Sequence, residues 1–327
     1  MTYPSFNTPQ AVWEHYKLSE RAGYDLAPLQ LADLDSAASW DRMKWFYEVG
    51  VGKTVCSTVH ALMMGYPITF VIVPPILIPQ WGKWLRRVDP TAKVLEYCGP
   101  PKVRKLMEPA KAKWVIVSHA IFRGDFERLL KECNKLRPHL IVDEAHALKS
   151  AQSQLFRKTN MLTSDSGVQL LTGTPTSKPG DAYAYVKLVT PQVYRSWGHF
   201  ENLHVADRDF FGTITRWQGL DLVQQNLNLQ SCRRTKDEMF PGIVKPRYET
   251  IEYQLAPAHA KLYKRLADEQ LLLLDNGQKI DATTAQRLYH ALQQIIVNFD
   301  HYSGDNTARA AIYDWIDHTV DQTQCMD

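Results

Sequence analysis

The sequence has only five cysteines in 327 residues: Cys56, Cys98, Cys133, Cys232 and Cys325. They lie far apart and form no CxxC pair, so neither a zinc site nor a disulfide framework is signalled. Isolated thiols of this kind fit a reducing compartment. No apolar run approaches the roughly 20 residues needed to span a bilayer. The first ten residues, MTYPSFNTPQ, lack the basic and then apolar pattern of a signal peptide. Low-complexity tracts and long runs of one charge are also missing, which argues against extensive disorder. Net charge is small, with 38 Lys and Arg against 35 Asp and Glu, a formal +3. That total neither requires nor excludes a nucleic-acid partner, because a local basic groove matters more than the sum. These absences predict a soluble, intracellular, cytoplasmic protein, and a bacterial or viral source is expected.

Apolar residues make up 45% of the chain and charged residues 22%, a globular balance with enough material for sizeable cores. The length suggests about two domains. Five short apolar runs read as buried strands: MKWFYEV (43–49), ITFVIVPP (68–75), KWVIVSH (113–119), HLIVDEAH (139–146) and VQLLTGTP (168–175). Helical stretches such as TVCSTVHALMM (54–64) and QWGKWLRRV (80–88) lie between them. Strands rich in Val and Ile that alternate with helices predict an α/β fold, a parallel sheet with helices on both faces. Polar residues gather at the carboxyl ends of these strands, where open α/β sheets bind ligands.

Past residue 240 the texture changes. FPGIVKPRYETIEYQLAP contains three prolines, and residues 248–253 alternate as an exposed crossing strand would. Two helical patterns follow, the second with Leu288, Leu292, Ile295, Ile296 and Phe299 on one face. This stripe is a packing surface and carries no chemistry.

The stretch EVGVGKT (48–54) carries the first chemical signal. A phosphate cradle needs glycines so that backbone N–H groups can turn inward. It also needs a lysine for the β/γ-phosphates and a Ser or Thr hydroxyl for Mg²⁺. Gly50, Gly52, Lys53 and Thr54 supply these parts, and the helix that follows points its positive end at the phosphates. An ordinary glycine turn before a helix is the alternative, and Tyr47 stands where the strict pattern has another residue type. The second signal is HLIVDEAH, whose strand delivers Asp143 and Glu144 to its carboxyl end. Asp143 suits a Mg²⁺ ion held through water, and Glu144 suits the activation of an attacking water. The third is LLTGTP, where Thr172 and Thr174 end another strand; a coupling role and a plain turn fit equally well.

In this order the three motifs resemble those of superfamily 2 helicases, and in detail the SWI/SNF-type double-stranded DNA translocases. EVGVGKT is similar to that family's DExGxGKT, with Tyr47 in place of the first Asp. DEAHALKS (143–150) is similar to its DEAHRLKN, and CRRTKDEMFPGIVKP (232–246) to its RRTK segment. LTGTPTSKPGDAYAYVKLVTPQVYRSWGHF (171–200) follows its LTGTP region, and LAPLQ (26–30) resembles the segment whose glutamine reads adenine. VIVPPILIPQW (71–81) and IVSHAIF (116–122) stand where its DNA-facing motifs lie.

The resemblance runs from about residue 25 to the end of the sequence. It implies an arm over 1–24, a RecA-like P-loop NTPase lobe over 25–240, and over 241–327 a crossing segment with the mostly helical start of a second lobe. It further implies ATP and Mg²⁺ as ligands and duplex DNA as the track. Gln30, Gly50, Val51, Gly52, Lys53, Thr54 and Val55 would hold the nucleotide, with Thr54 and Asp143 on Mg²⁺. Lys53, Asp143, Glu144 and His146 would form the catalytic set. Thr172, Gly173 and Thr174 would couple the site to the rest of the motor, with His146 as the link to TGTP. Trp81 and Trp84 are expected to pack.

The arginine motif that a second lobe contributes in this family is not found in the sequence, although its last stretch, SGDNTARAAIYDWIDHTVDQTQCMD, is similar to the helix that opens that lobe. A second lobe, in cis or in trans, is therefore an expected partner. Two other functions stay open: a non-hydrolysing ATP- or DNA-binding regulatory module, and the motor part of a restriction or repair nuclease.

Overall fold

The computed structural model describes residues 5–163, 166–243, 255, 257–273, 279–281 and 284–297. Two compact units divide the chain, 1–244 and 245–327.

The first unit is built on strands β1 (Arg42–Tyr47), β2 (Thr69–Val73), β3 (Val94–Tyr97), β4 (Trp114–Ser118), β5 (His139–Val142) and β6 (Val168–Leu171). A hairpin of β7 (Val205–Arg208) and β8 (Ile214–Trp217) follows, and then β9 (Ser231–Arg234). All but the hairpin join one seven-stranded sheet in the order β3-β4-β2-β5-β6-β1-β9, and every pairing in it is parallel. Each of the five strands expected from the apolar runs is present. The two extra sheet strands are the two edges. β3 is only partly buried along most of its length, and β9 (SCRR) buries Cys232 alone, so neither shows an apolar run. An edge strand has a neighbour on one side only and can stay polar.

Side chains leave a strand on alternate faces, and the core divides accordingly. Phe70 and Ile72 of β2, with Val115 and Val117 of β4 and Leu140 and Val142 of β5, enter one cluster. Val71, Val73, Ile116 and Ile141 enter the other. Helices His119–Gly124, Phe126–Cys133, Gln154–Leu162 and Ala182–Val189 cover the first face. Helices Lys53–Met64 and Ile78–Val88 cover the second. Residues 5–24 contribute to that second face as well, through Val12, Trp13, Tyr16 and Leu18. A buried polar relay fixes the helix after the glycine loop to the sheet. Gln169 of β6 accepts from the Trp45 indole (2.7 Å) and donates to the Ser57 carbonyl (3.1 Å).

In the second unit, helices Pro257–Glu269 and Ala285–Val297 pack around buried Leu266 and Ile295, with Leu288 and Leu292 beside them. A short antiparallel ribbon pairs Leu271–Leu273 with Lys279–Asp281. The expected crossing strand at 248–253, Phe299 and the stretch from 303 to 327 lie outside the described residues.

Candidate nucleotide site

Three strand ends meet at the carboxyl edge of the sheet. β1 runs into the loop Glu48–Gly52, β5 into Asp143–Glu144, and β6 into Thr172–Thr174; β1 and β5 both pair with β6. Helix Lys53–Met64 begins directly at the end of the loop, with Gly52 as its N-cap. Gly50 (φ +86°) and Gly52 (φ +97°) both occupy the left-handed region that L-residues disfavour. At Gly52 a second reason for glycine appears. A Cβ there would lie 2.4 Å from Nε2 of Gln30.

Gln30 sits in helix Pro28–Ala37 and is buried. Its Nε2 donates to the Val51 carbonyl (2.9 Å), and its Oε1 accepts from the Ala27 N–H (2.9 Å). The amide is thus held in one orientation, with one N–H and one lone pair still free. It faces a cleft of about 330 Å³ whose walls include Tyr24, Ala27, Gly52, Val55 and Phe240. Val51 itself is buried beneath the loop.

Lys53 is half-buried, and its Nζ donates to the carbonyls of Tyr47 (3.0 Å) and Glu48 (3.2 Å) at the base of the loop. Burial pulls its ammonium below the usual lysine range, while the charges of Asp143, Glu144 and Glu48 oppose that shift. Lys53 and the two acidic residues therefore share one electrostatic environment, although 90 residues separate them along the chain.

Asp143 is almost fully buried. Its Oδ1 accepts from the Glu144 N–H (2.9 Å) and its Oδ2 from the Trp81 indole N–H (2.9 Å). Burial pushes the carboxyl up; these two hydrogen bonds, and after them the Lys53 charge, pull it back. Glu144 takes a left-handed backbone (φ +49°), a sparsely populated conformation for a residue with a side chain. Its Oε2 lies 3.0 Å from Nδ1 of His146. Thr172 is buried and receives the Thr174 N–H on its hydroxyl (3.1 Å), while Gly173 packs near the Tyr47 carbonyl. Among the described residues no hydrogen bond joins either threonine to Glu144 or His146.

The RRTK segment belongs to this site too. β9 pairs with β1, and the Glu48 N–H donates to the Arg234 carbonyl (2.9 Å). The Lys236 N–H donates to the Glu48 carboxylate (2.8 Å), and the Lys236 side chain lies over Gly50. Arg234 itself makes a two-pronged ion pair with Asp33. Asp33 was invisible to sequence reasoning, since a lone acid in a helix carries no signal. Tyr24 and Phe240 likewise become cleft walls only through folding.

Among the described residues there is no group of three or more His, Cys, Asp or Glu side chains able to enclose a metal. A single buried carboxylate suits Mg²⁺, which keeps several waters and takes phosphate oxygens as further ligands.

The sequence profile of the SNF2-related domain matches residues 45–300. The chain belongs to the SNF2-related domain family. Relatives of this SNF2-related domain include a chromodomain-helicase-DNA-binding protein 1-like from Danio rerio, 27% identical over 271 residues. That match covers 78% of this chain and 25% of the relative. The transcription regulatory protein SNF2 of Saccharomyces cerevisiae is 28% identical over 231 residues, covering 66% of this chain and 13% of its own length. This chain thus spans a quarter or less of these two curated relatives. The solved SWI2/SNF2 ATPase core of Sulfolobus solfataricus, in complex with double-stranded DNA, superposes with a TM-score of 0.57 at 18% identity. It covers 98% of this chain and 67% of that one, and it shows the same RecA-like α/β fold. These sources lend no support to a bacterial or viral origin. No helix among the described residues is long and apolar enough to cross a membrane.

Proposed function

We propose that this SNF2-related domain binds ATP with Mg²⁺ and forms the nucleotide-binding half of a motor that moves along duplex DNA. One observation carries this: Lys53, Asp143 and Glu144 come together where β1 and β5, the two strands flanking β6, end, while Gly52 packs against Gln30. The free donor and acceptor of Gln30 suit the edge of an adenine in the cleft beside Tyr24 and Phe240. The phosphates would follow the loop to the start of helix Lys53–Met64, where unpaired N–H groups favour anions. Lys53 would exchange its two carbonyl contacts for phosphate oxygens. Thr54 and Asp143 would hold Mg²⁺, which when bound neutralises charge on the β- and γ-oxygens. Glu144 is the general base for the attacking water, and its contact with His146 orients the carboxylate. Thr172 and Thr174 join the site to β1 through the Trp45 carbonyl and are the coupling residues.

Duplex DNA as the track is supported by the DNA-binding relative from Danio rerio and by the DNA-bound Sulfolobus core. The segments 71–81 and 116–122 contain the ends of the paired strands β2 and β4, and Ile76 in the first segment is largely exposed.

Lys53, Asp143 and Glu144 approach the γ-phosphate from one lobe, and a second RecA-like lobe supplied in cis or in trans would bring arginines to the other side. An arginine finger is worth about 10³–10⁵ in rate. Steady-state phosphate release with saturating ATP, Mg²⁺ and duplex DNA tests this, comparing residues 1–327 with a version completed by a second lobe. Slow turnover alone and DNA-stimulated turnover when completed is the expected result. ATP binding without turnover in either form would instead support a regulatory module.

A further inference from the structure

Helix Ile78–Val88 carries two tryptophans three residues apart, Trp81 and Trp84, and therefore on neighbouring positions of one face. Each spends its indole N–H on a different half of the nucleotide site. Trp81 donates to Oδ2 of Asp143 (2.9 Å). Trp84 donates to the Thr58 hydroxyl (3.0 Å), which donates in turn to the Thr54 carbonyl (2.7 Å). Asp143 and Thr54 are the two residues assigned above to Mg²⁺. They arise from a strand and a helix with no covalent connection shorter than 88 residues, so tertiary contacts alone set their spacing.

We propose that Trp81 and Trp84 are positioning residues that brace the two protein ligands of Mg²⁺ at a fixed separation. This rests on the ATP and Mg²⁺ assignment above. The terminal torsion of an aspartate is broad and roughly two-fold, so a carboxylate with one donor can swivel. With the Glu144 N–H on Oδ1 and the Trp81 indole on Oδ2, the plane of Asp143 is fixed and each oxygen keeps a lone pair for a metal-bound water. Trp81 can hold that position because it is 2% exposed and belongs to the buried core on that face of the sheet. The helix also reaches β3 through the Arg86–Glu96 ion pair (2.7 Å). Mg²⁺ demands near-ideal octahedral geometry, so a swivelling carboxylate lowers metal affinity more than it lowers affinity for the metal-free nucleotide.

The test is a fluorescent-ATP titration of residues 1–327 in Mg²⁺ and in EDTA, for wild type, Trp81→Phe, Trp84→Phe and Lys53→Ala. Phenylalanine keeps an aromatic ring in the core and removes the N–H. For Trp81→Phe, Mg²⁺ should lose about tenfold of its enhancement of ATP affinity, the usual consequence of deleting one hydrogen bond to a charged group. Affinity in EDTA should change less than about twofold. Trp84→Phe, which acts through neutral partners, should show the same pattern at a smaller size, about threefold. Circular dichroism confirms folding, and Thr58→Val reads the second arm independently if a tryptophan variant fails to fold. Wild-type Mg²⁺ dependence in the folded variants would overturn the brace, as would equal losses with and without Mg²⁺. Those outcomes leave the ATP assignment standing provided that Lys53→Ala weakens binding. Absence of nucleotide binding by the wild type would overturn the assignment and the brace together.

Discussion

Arg234 grips Asp33 with two hydrogen bonds, Nε to Oδ2 at 2.9 Å and Nη2 to Oδ1 at 2.6 Å, and the Tyr47 hydroxyl donates to the same carboxylate at 2.6 Å. At position 47, where the resembling pattern carries an aspartate, a buried tyrosine here meets a carboxylate from the neighbouring helix Pro28–Ala37. Burial pushes the Tyr47 phenol far above its ordinary range, so it remains a donor at any working pH. One carboxylate thereby ties helix Pro28–Ala37, the strand before the glycine loop and the edge strand β9 into a unit.

Arg234→Gln should therefore lower stability by about 1–2 kcal/mol, because it leaves a mostly buried carboxylate with one charged partner fewer. Asp33→Asn should cost a similar amount, and the double variant should cost less than the sum. Urea midpoints for the four proteins form the cycle. Strict additivity would show that the pair contributes no coupling.

Lys53→Ala should weaken ATP binding tenfold to a hundredfold, the loss of a charge-assisted contact worth roughly 1.5–3 kcal/mol. Fold should be retained, since among the described residues the side chain bonds only to the two carbonyls at the loop base. Equal affinities in a nucleotide titration would reduce the glycine loop to a simple turn.

For Glu144→Gln the expected result is near-normal ATP binding with hydrolysis reduced by about 10²–10⁴, the usual contribution of a general base. The amide keeps the shape and loses the basicity. Single-turnover phosphate release in a protein completed by a second lobe measures it, and normal hydrolysis would remove Glu144 from the chemistry.

Lys44 gives a pH prediction. It lies fully buried on β1 and donates to the Leu229 carbonyl, and burial lowers its pKa to about 7. The folded chain therefore prefers the neutral amine, whereas the unfolded chain titrates near the ordinary lysine value. Between those two values the unfolded state binds more protons, so stability rises with pH. Below about pH 7 both states are protonated, and the contribution is flat at its least favourable level. The stability of wild type minus that of Lys44→Met should climb from pH 7 towards pH 10, by at most about 1.4 kcal/mol per pH unit. Taking the difference removes the tyrosines and cysteines that titrate in the same range. A flat or falling difference would contradict the assignment.

Much of the fold was legible in the sequence. Five interior strands of a parallel sheet are buried on both faces, so runs such as FVIV in β2 or LIV in β5 are continuously apolar and announce themselves. Glycine loop, acidic strand end and threonine strand end were legible for a similar reason. Phosphate and metal chemistry restricts residue type locally, within a few positions of one strand terminus. β3, β9 and the hairpin were not foreseen, because an edge strand or a surface ribbon has no obligation to be apolar.

Tertiary structure alone decided which distant residues serve the loop. Gln30 packs against Gly52 and bonds to the Val51 carbonyl, Asp33 meets Tyr47 and Arg234, and Trp81 reaches Asp143. Gln30, Asp143 and Arg234 lie in motifs that the sequence displays, but nothing in those motifs marks which residue on another element each one meets. Side-chain hydrogen bonds extend only about 3 Å and depend on angle, so such pairs exist once sheet order and helix placement have fixed every position. Chemistry that acts along one stretch of chain was written in the sequence. Chemistry that acts across elements came from the packing.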